Sequence, residues 1–428
     1  MKIEQLYQYF LNSNGVTTDS RNVSKNQIYF ALKGENFNGN LFAKSALEQG
    51  ALVVVVDELQ VIEQDKKEVY FVVANVLETL QKLAQYHRKQ LNIPIIALTG
   101  SNGKTTTKEL IHAVLKQKFK TIATVGNLNN HIGVPLTLLQ MNNETEIGIV
   151  EMGANHQKEI AFLCELAAPD FGYITNFGKA HLEGFGGFEG VIKGKSEMYA
   201  YLREHNKRVF ININDALQVT NAQNITQFTF GLSTTSADVN ITDVKADPNV
   251  KICYNNETIA THLIGIYNAP NICAALTIGL FFGIDIQKIH EALAEYNPTN
   301  NRSQIMQIKS NQIILDAYNA NPSSMDVALT NLDQLAATHK IAILGDMFEL
   351  GETSDLEHKN VIEKVLSTSI KQTYFVGERF FANQIENPKA KYYKTLSDLK
   401  ADFSFDALHD CTVLIKGSRG MALEKILP

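Results

Sequence analysis

No stretch of this sequence is apolar for the ~20 residues a helix needs to cross a bilayer. The most apolar runs, Ala51 to Val56 and Ile93 to Leu98, stop far short of that and read as buried strands. The opening residues, MKIEQLYQYFLNSN, lack the basic start, apolar run and small-residue cleavage site of a secretory signal. The expectation is a cytoplasmic protein without membrane insertion. Cysteine is scarce: Cys164, Cys253, Cys273 and Cys411 are scattered without the paired spacing of a metal site, and are expected as four buried free thiols in a reducing compartment. Positive charge is also in short supply. With 39 Lys and Arg against 45 Asp and Glu the net charge is -6, which excludes a broad basic field for wrapping nucleic acid but leaves room for a local cationic pocket holding a phosphorylated metabolite. Repeats of fixed period and low-complexity segments are missing as well.

What the chain does have is length and apolar content. Its 428 residues are 45% hydrophobic, and a single core stops growing near ~250 to 300 residues, so two or three domains are expected. From about residue 90 apolar strands alternate with amphipathic helices: Ile95 to Leu98 then Lys108 to Lys118, Ile147 to Val150 then His156 to Leu166, and next Tyr173 to Thr175. This alternation predicts a parallel sheet covered by helices. Residues 1–90 predict a smaller α/β unit with strands at Gln27 to Ala31, Leu52 to Val56 and Tyr70 to Val73 and a helix from Phe42 to Gln49. The run Asn297-Pro298-Thr299-Asn300-Asn301 collects turn formers and ends the helix that begins near Ile286. Beyond it, strands at Ile313 to Leu315, Ile341 to Leu344, Tyr374 to Val376 and Val413 to Ile415 predict a second doubly wound sheet. Antiparallel strands are expected between Asp238 and Thr261. The fold class is therefore α/β with three domains, at 1–90, 91–297 and 298–428.

The segment from Ile95 to Thr107 carries the strongest chemical signal. A buried strand runs into Gly100-Ser101-Asn102-Gly103-Lys104-Thr105-Thr106, which opens a helix. Glycines let backbone N–H groups approach phosphate oxygens, the helix start adds partial positive charge, Lys104 reaches the β and γ phosphates, and Thr105 suits magnesium. The full phosphate-loop pattern asks for glycine at the position of Leu98, so the match is partial; the bland alternative is a glycine-rich turn with an exposed lysine. Downstream, Glu151 ends an apolar strand, where a carboxylate suits magnesium as well as solvent. His181 lies in a loop after a strand of the same sheet, a place for a ligand or for an ordinary polar residue. Lys193 and Lys195 could be solvated helix charges. Asn268 and Asn271, three apart, share a helix face and could cap it or bond a base. Three further polar loops, at Asp316 to Pro322, Leu344 to Gly351 and Ile415 to Gly420, follow apolar strands and suggest one binding edge.

Taken in order, these segments resemble the Mur ligase family, in the forms typical of its D-alanyl-D-alanine-adding members. The resemblance spans nearly the whole chain. It rests on Thr99 to Thr105, Asn127 to Pro135, Glu151 to Asn155, Ala180 to Gly186, Asp316 to Pro322, Gly345-Asp346-Met347 and Lys416 to Gly420, with Thr18 to Arg21 and Phe30 to Gly34 similar to the family's UDP-substrate domain. The chain departs from the family with Asn38-Gly39-Asn40 in place of Asp-Gly-His and Tyr267-Asn268 in place of His-Asn.

The resemblance implies a UDP-substrate domain, a central ATPase and a Rossmann-like C-terminal domain. It implies ATP and two Mg²⁺ ions as cofactors and an acyl-phosphate route that joins D-Ala-D-Ala to a UDP-N-acetylmuramoyl tripeptide. Gly100, Ser101, Asn102, Gly103, Lys104, Thr105 and Thr106 would hold the phosphates. Thr105 and Glu151 would serve magnesium, and His181 a second ion. Lys195, whose following Met198 and Tyr199 match the family pattern, would be a carbamate ligand. Arg302 would reach the γ-phosphate, Asn268 and Asn271 the adenine, and Asp316 the ribose. Ser20, Arg21, Asn129, Asn130, Asn319, Asn321, Asp346, Lys416, Ser418 and Arg419 would shape the substrate and interdomain sites. Small-molecule partners only, with no nucleic acid, and a monomer are expected. The competing readings are another amide ligase of the superfamily, amino-acid-adding or folylpolyglutamate-forming, and a non-catalytic P-loop binder.

Overall fold

The computed structural model describes residues 3–298 and 301–428. Of the expected break after Tyr296, Thr299 and Asn300 lie outside the described residues. The chain forms two compact units that are not consecutive in sequence. One holds Met1–Leu98, Phe119–Gly153 and Glu159–Gly172; the other holds Thr99–Lys118, Ala154–Lys158 and Tyr173–Pro428. Among the described residues no helix is long and apolar enough to cross a membrane.

In the first unit the strands Val16–Thr17, Ile28–Phe30, Val53–Val56 and Tyr70–Val72 form a parallel sheet in that order. Val53–Val56 is buried along its whole length, as parallel strands covered on both faces must be. Tyr29, Ala31, Ala43, Ala46, Val54 and Val56 make one core cluster. The helix Val76–Gln90 starts where Asn75 accepts a hydrogen bond from the Glu78 N–H at 2.9 Å, an ordinary side-chain cap. It buries Leu80, Leu83, Ala84 and His87 along one face and packs on the helices Gly133–Leu138 and Glu159–Ala167. Ile147–Glu151 pairs in parallel with both Ile95–Thr99 and Thr121–Ala123.

In the second unit Arg208–Asn212, Thr226–Leu232 and Val239–Ile241 pair in parallel, and Asp243–Ala246, Asn249–Tyr254 and Glu257–Ile264 form an antiparallel sheet. The antiparallel strands expected from Asp238 thus begin at Asp243, because Val239–Ile241 joins the neighbouring parallel edge instead. Cys253, on this small sheet, is half-buried, and the other three cysteines are buried free thiols. The C-terminal sheet runs in the order Gln304–Ile308, Asn311–Asp316, Cys411–Lys416, His339–Gly345, Gln372–Val376, Ala390–Tyr393. Only its first strand is antiparallel. Parallel order aligns the carboxyl ends of Asp316, Lys416 and Gly345, which brings the three polar loops to one edge as such sheets require.

Candidate active site

The helix expected from Lys108 starts earlier, at Lys104, and runs to Leu115. Its start is set by Gly103, which takes φ of 77° before the first helical residue, a conformation that glycine adopts without steric cost. A side chain here would also come within 2.8 Å of the Asn271 carboxamide oxygen. Gly100 is still more constrained: a Cβ would stand 1.9 Å from Thr175 Oγ1.

The loop between these glycines is braced from the segment 175–178. Thr175 Oγ1 donates to the Asn102 carbonyl at 2.6 Å, Asn176 Oδ1 accepts from the Asn102 N–H at 3.0 Å, and Ser101 Oγ donates to the Gly178 carbonyl at 2.8 Å. Lys104 Nζ donates to the carbonyls of Gly100 at 2.7 Å and Ser101 at 3.3 Å, inside its own loop. Thr105 and Thr106 are buried in the first helical turn.

Asn268 and Asn271, expected at adenine, are buried and bonded to protein. Asn271 Nδ2 donates to Asn268 Oδ1 at 2.9 Å, Thr107 Oγ1 donates to Asn271 Oδ1 at 3.0 Å, and Asn268 Nδ2 donates to the Ile264 carbonyl at 2.8 Å. The pair ties the helix Ala269–Phe281 to the helix that carries Lys104 and Thr105.

Lys193 and Lys195 sit on opposite sides of the helix Phe188–Glu204. Lys193 is exposed, whereas Lys195 is only 1% exposed and holds its Nζ 5.3 Å from the centre of the Phe185 ring. Burial, and then the nearby positive charge of Lys104, push the Lys195 ammonium well below the usual lysine range. Both effects favour the neutral amine over the ammonium.

His181 has φ of 52° and bonds through Nδ1 to Glu349 Oε2. That bond is the largest influence on the Glu349 carboxyl and holds it below the ordinary range against the opposing effect of burial. The neighbouring Lys179 pairs with Glu357 at 2.7 Å, and its N–H donates to Ser323 Oγ at 2.8 Å.

Arg302 lays its guanidinium 3.7 Å from the Tyr318 ring centre, and its buried Nε makes no hydrogen bond among the described residues. Asp316 accepts from Lys416 Nζ at 2.6 Å and from the Ser303 N–H at 3.1 Å. Lys416 is buried, so removing either partner would leave a poorly solvated charge. Asp346 accepts from the backbone N–H groups of Arg379 and Phe380 at 2.9 and 3.0 Å, which fixes the start of the helix Glu378–Ala382. Ser418 Oγ accepts from the Phe348 N–H at 3.0 Å. Asn319 is exposed, and Arg419 pairs with Glu424 at 3.0 Å. Asn321 caps the helix Pro322–Gln334 and donates to Asn102 Oδ1 at 2.8 Å.

In the other unit Glu151 is buried at its strand end, where Oε1 accepts from Asn129 Nδ2 at 2.8 Å and its N–H donates to Thr124 Oγ1 at 3.0 Å. Asn130 Oδ1 accepts from the N–H groups of Ile132 and Gly133, each at 3.0 Å. Ser20 is buried, and Arg21 extends an 87% exposed side chain paired with Asp19 at 2.9 Å.

Sequence reading passed over Thr175, Asn176, Ser323 and Glu349. Thr175 and Asn176 end an apolar strand beside the glycine loop, and Glu349 stands in a loop already marked as polar. Those positions were their only local signal.

A glycine loop opening a helix, a buried lysine within electrostatic reach of the loop's Lys104 and a Rossmann-like sheet with polar loops at one edge define an ATP-using ligase architecture. Family models for the Mur ligase middle domain, the Mur ligase glutamate ligase domain and the Mur ligase family catalytic domain match residues 98–279, 301–419 and 12–97. The chain belongs to the Mur ligase family, and its three-domain α/β expectation holds. The UDP-N-acetylmuramoyl-tripeptide--D-alanyl-D-alanine ligase of Bacillus subtilis (strain 168) is 34% identical across 97% of this chain and 92% of its own length. The Escherichia coli (strain K12) protein of that name is 31% identical across 97% and 93%. Among solved structures, MurF from Acinetobacter baumannii superposes with a TM-score of 0.87 at 28% identity over 100% of this chain and 97% of that one. MurF ligase from Thermotoga maritima in complex with ADP gives 0.83 at 26% identity over 98% and 97%.

Proposed function

We propose that this protein is the ATP-dependent ligase that adds D-alanyl-D-alanine to UDP-N-acetylmuramoyl tripeptide in peptidoglycan precursor synthesis, acting in the cytoplasm. The carrying observation is the similarity, at 34% and 31% identity over 97% of this chain, to ligases of that name. We divide the chain at 1–90, 91–297 and 298–428, a division supported by the spans of the three family models.

A carboxylate does not accept an amine at neutral pH until its oxygen becomes a good leaving group. In the proposed route a tripeptide carboxylate oxygen attacks the γ-phosphorus of ATP, forming an acyl phosphate and releasing ADP. The dipeptide amine then attacks the acyl carbon, the C–N bond forms, phosphate leaves and the amine proton passes to solvent. Little covalent work falls to the protein, so its contribution is position and charge. The backbone N–H groups of 100–106 and Lys104 would hold the β and γ phosphates. Arg302, kept planar on Tyr318 with an uncommitted Nε, would meet the γ-phosphate. Asn268 and Asn271 would meet the adenine and Asp316 the ribose, and Asn319, Asn321, Asp346, Lys416, Ser418 and Arg419 would shape the dipeptide and interdomain site. Ser20, Arg21, Asn129 and Asn130 are assigned to the UDP-linked substrate.

The donor set suits magnesium, a hard cation that takes hydroxyl and carboxylate oxygen and few protein ligands beside phosphate oxygens and water: Thr105 opens its helix in the glycine loop, and Glu151 ends a buried strand. Thr105, Glu151 and His181 are the assigned ligands. Lys195 joins them as a carbamate: its neutral amine adds to carbon dioxide, an N–C bond forms, a proton is released and an oxygen donor replaces an ammonium. When bound, magnesium neutralises charge on the transferred phosphoryl group.

Phosphate release with UDP-N-acetylmuramoyl tripeptide, with and without D-Ala-D-Ala, tests the reading. Release must require the dipeptide. Release with a single amino acid in its place would transfer the assignment to an amino-acid-adding ligase.

A further inference from the structure

His181 and Glu349 are 168 residues apart in sequence and face each other through Nδ1 and Oε2. Both have left-handed backbones, with φ of 52° and 60°. Histidine adopts such values more readily than most residues but glutamate seldom does, so the Glu349 backbone is the unusual member of the pair. The two loops also meet along their backbones: the Glu183 N–H donates to the Glu349 carbonyl at 3.3 Å. A Cβ on Gly351, which has φ of 55°, would come within 3.3 Å of the Glu183 side chain. The loop that carries Glu349 is therefore seated against the loop of His181, while the Glu349 side chain is itself half exposed.

We infer that Glu349 is a positioning residue for metal binding, which fixes His181 in the tautomer with Nδ1 protonated and turns its Nε2 lone pair toward a divalent cation. This rests on the reading of His181 as a magnesium ligand. A neutral imidazole has one donor nitrogen and one acceptor nitrogen, and the group bonded to the first decides which nitrogen remains for the metal. Carboxylates that receive the second N–H of a ligating histidine are the common form of this support, and their loss typically weakens metal binding about 10- to 100-fold. Glu349 belongs to the loop after the strand His339–Gly345, in the C-terminal sheet. His181 follows the strand Phe171–Ile174. The ligand is thus oriented from the segment assigned to the incoming dipeptide.

The test uses Mn²⁺ as the probe, titrated into the full-length protein with a non-hydrolysable ATP analogue and read by electron paramagnetic resonance of free ion. His181→Ala first identifies the part of Mn²⁺ binding that belongs to this histidine. Glu349→Ala is then expected to weaken that part by about tenfold or more, and Glu349→Gln, which keeps an acceptor oxygen, by less. In ¹⁵N spectra of the imidazole, wild type should show one tautomer with Nδ1 protonated and Glu349→Ala a mixture. If His181→Ala removes no Mn²⁺ binding, the metal reading of His181 falls and the inference falls with it. If His181→Ala removes binding and Glu349→Ala leaves it at the wild-type level, the inference alone is overturned, and the contact is only an ion pair between loops.

Discussion

One carboxamide, that of Asn321, performs two tasks at once. Its oxygen accepts the Ser324 N–H at 2.9 Å and caps a helix, while its nitrogen donates to Asn102 Oδ1 in the phosphate loop at 2.8 Å. The two tasks separate by substitution, because serine still caps but cannot reach Asn102. Asn321→Ala should lose about 1 kcal/mol of stability with the cap. Asn321→Ser should stay near wild type in urea unfolding, yet lose about three- to tenfold in kcat/KM, the value of one neutral hydrogen bond. Equal activity in wild type and Asn321→Ser would remove any catalytic meaning from the contact.

Lys104→Ala should abolish ligation and leave the fold intact. The side chain donates to the Gly100 and Ser101 carbonyls of its own loop, whereas the transferred phosphoryl group depends on its charge. Phosphate release and far-ultraviolet circular dichroism measure the two halves of this statement. Turnover at the wild-type rate by a folded Lys104→Ala protein would falsify the phosphate-loop assignment.

Lys195→Ala should lose most activity, and a short-chain carboxylic acid should restore part of it by supplying the missing oxygen donor. Lys193→Ala, altering an exposed side chain on the other face of the same helix, should change turnover by less than about twofold. The comparison is made by steady-state kinetics with and without added acetate. A dead Lys193→Ala beside an active Lys195→Ala reverses the assignment.

Acid should destabilise the first unit through His87. This imidazole is buried against Tyr7 and Phe10 and bonds Tyr7 Oη at 3.1 Å and the Met141 carbonyl at 2.8 Å. Burial lowers its pKa below the ordinary 6.5. The unfolded chain therefore takes up a proton first as pH falls, and the stability present above about 6.5 is lost between that value and the lower folded one. Urea midpoints at pH 8 and 5.5 should fall more steeply for wild type than for His87→Gln. Parallel slopes would assign the acid sensitivity elsewhere.

The parts of the site that were legible in the sequence are those written in adjacent residues. A strand, two glycines, a lysine and threonines need no distant partner to declare a phosphate loop, and alternating strands and helices declared both parallel sheets. The choice between Lys193 and Lys195 was not local. Spacing left both possible, and burial in the fold separates them. Asn268 and Asn271 do share a helix face, but that face turns inward to Thr107, a partner 164 residues away. Glu349 was passed over for the same reason, since its meaning comes from His181 and a sequence does not list neighbours in space. The helix start was misplaced by four residues because a threonine-rich first turn has weak intrinsic propensity, and the glycine that fixes it acts through its backbone.

The burial of one face of Val76–Gln90 limits how this protein can be taken apart. Gln81 and Gln85 donate to the carbonyls of His131 and Glu165 at 3.0 and 3.1 Å, and Arg88 reaches the Ala167 and Ala168 carbonyls and Asp170. A fragment cut after residue 90 would keep that helix and lose every one of these partners, exposing apolar surface and stranding a guanidinium that five bonds now satisfy. The amino-terminal region is thus a poor candidate for expression alone as a miniature nucleotide-sugar binder. Inhibitor screening aimed at it calls for the intact enzyme.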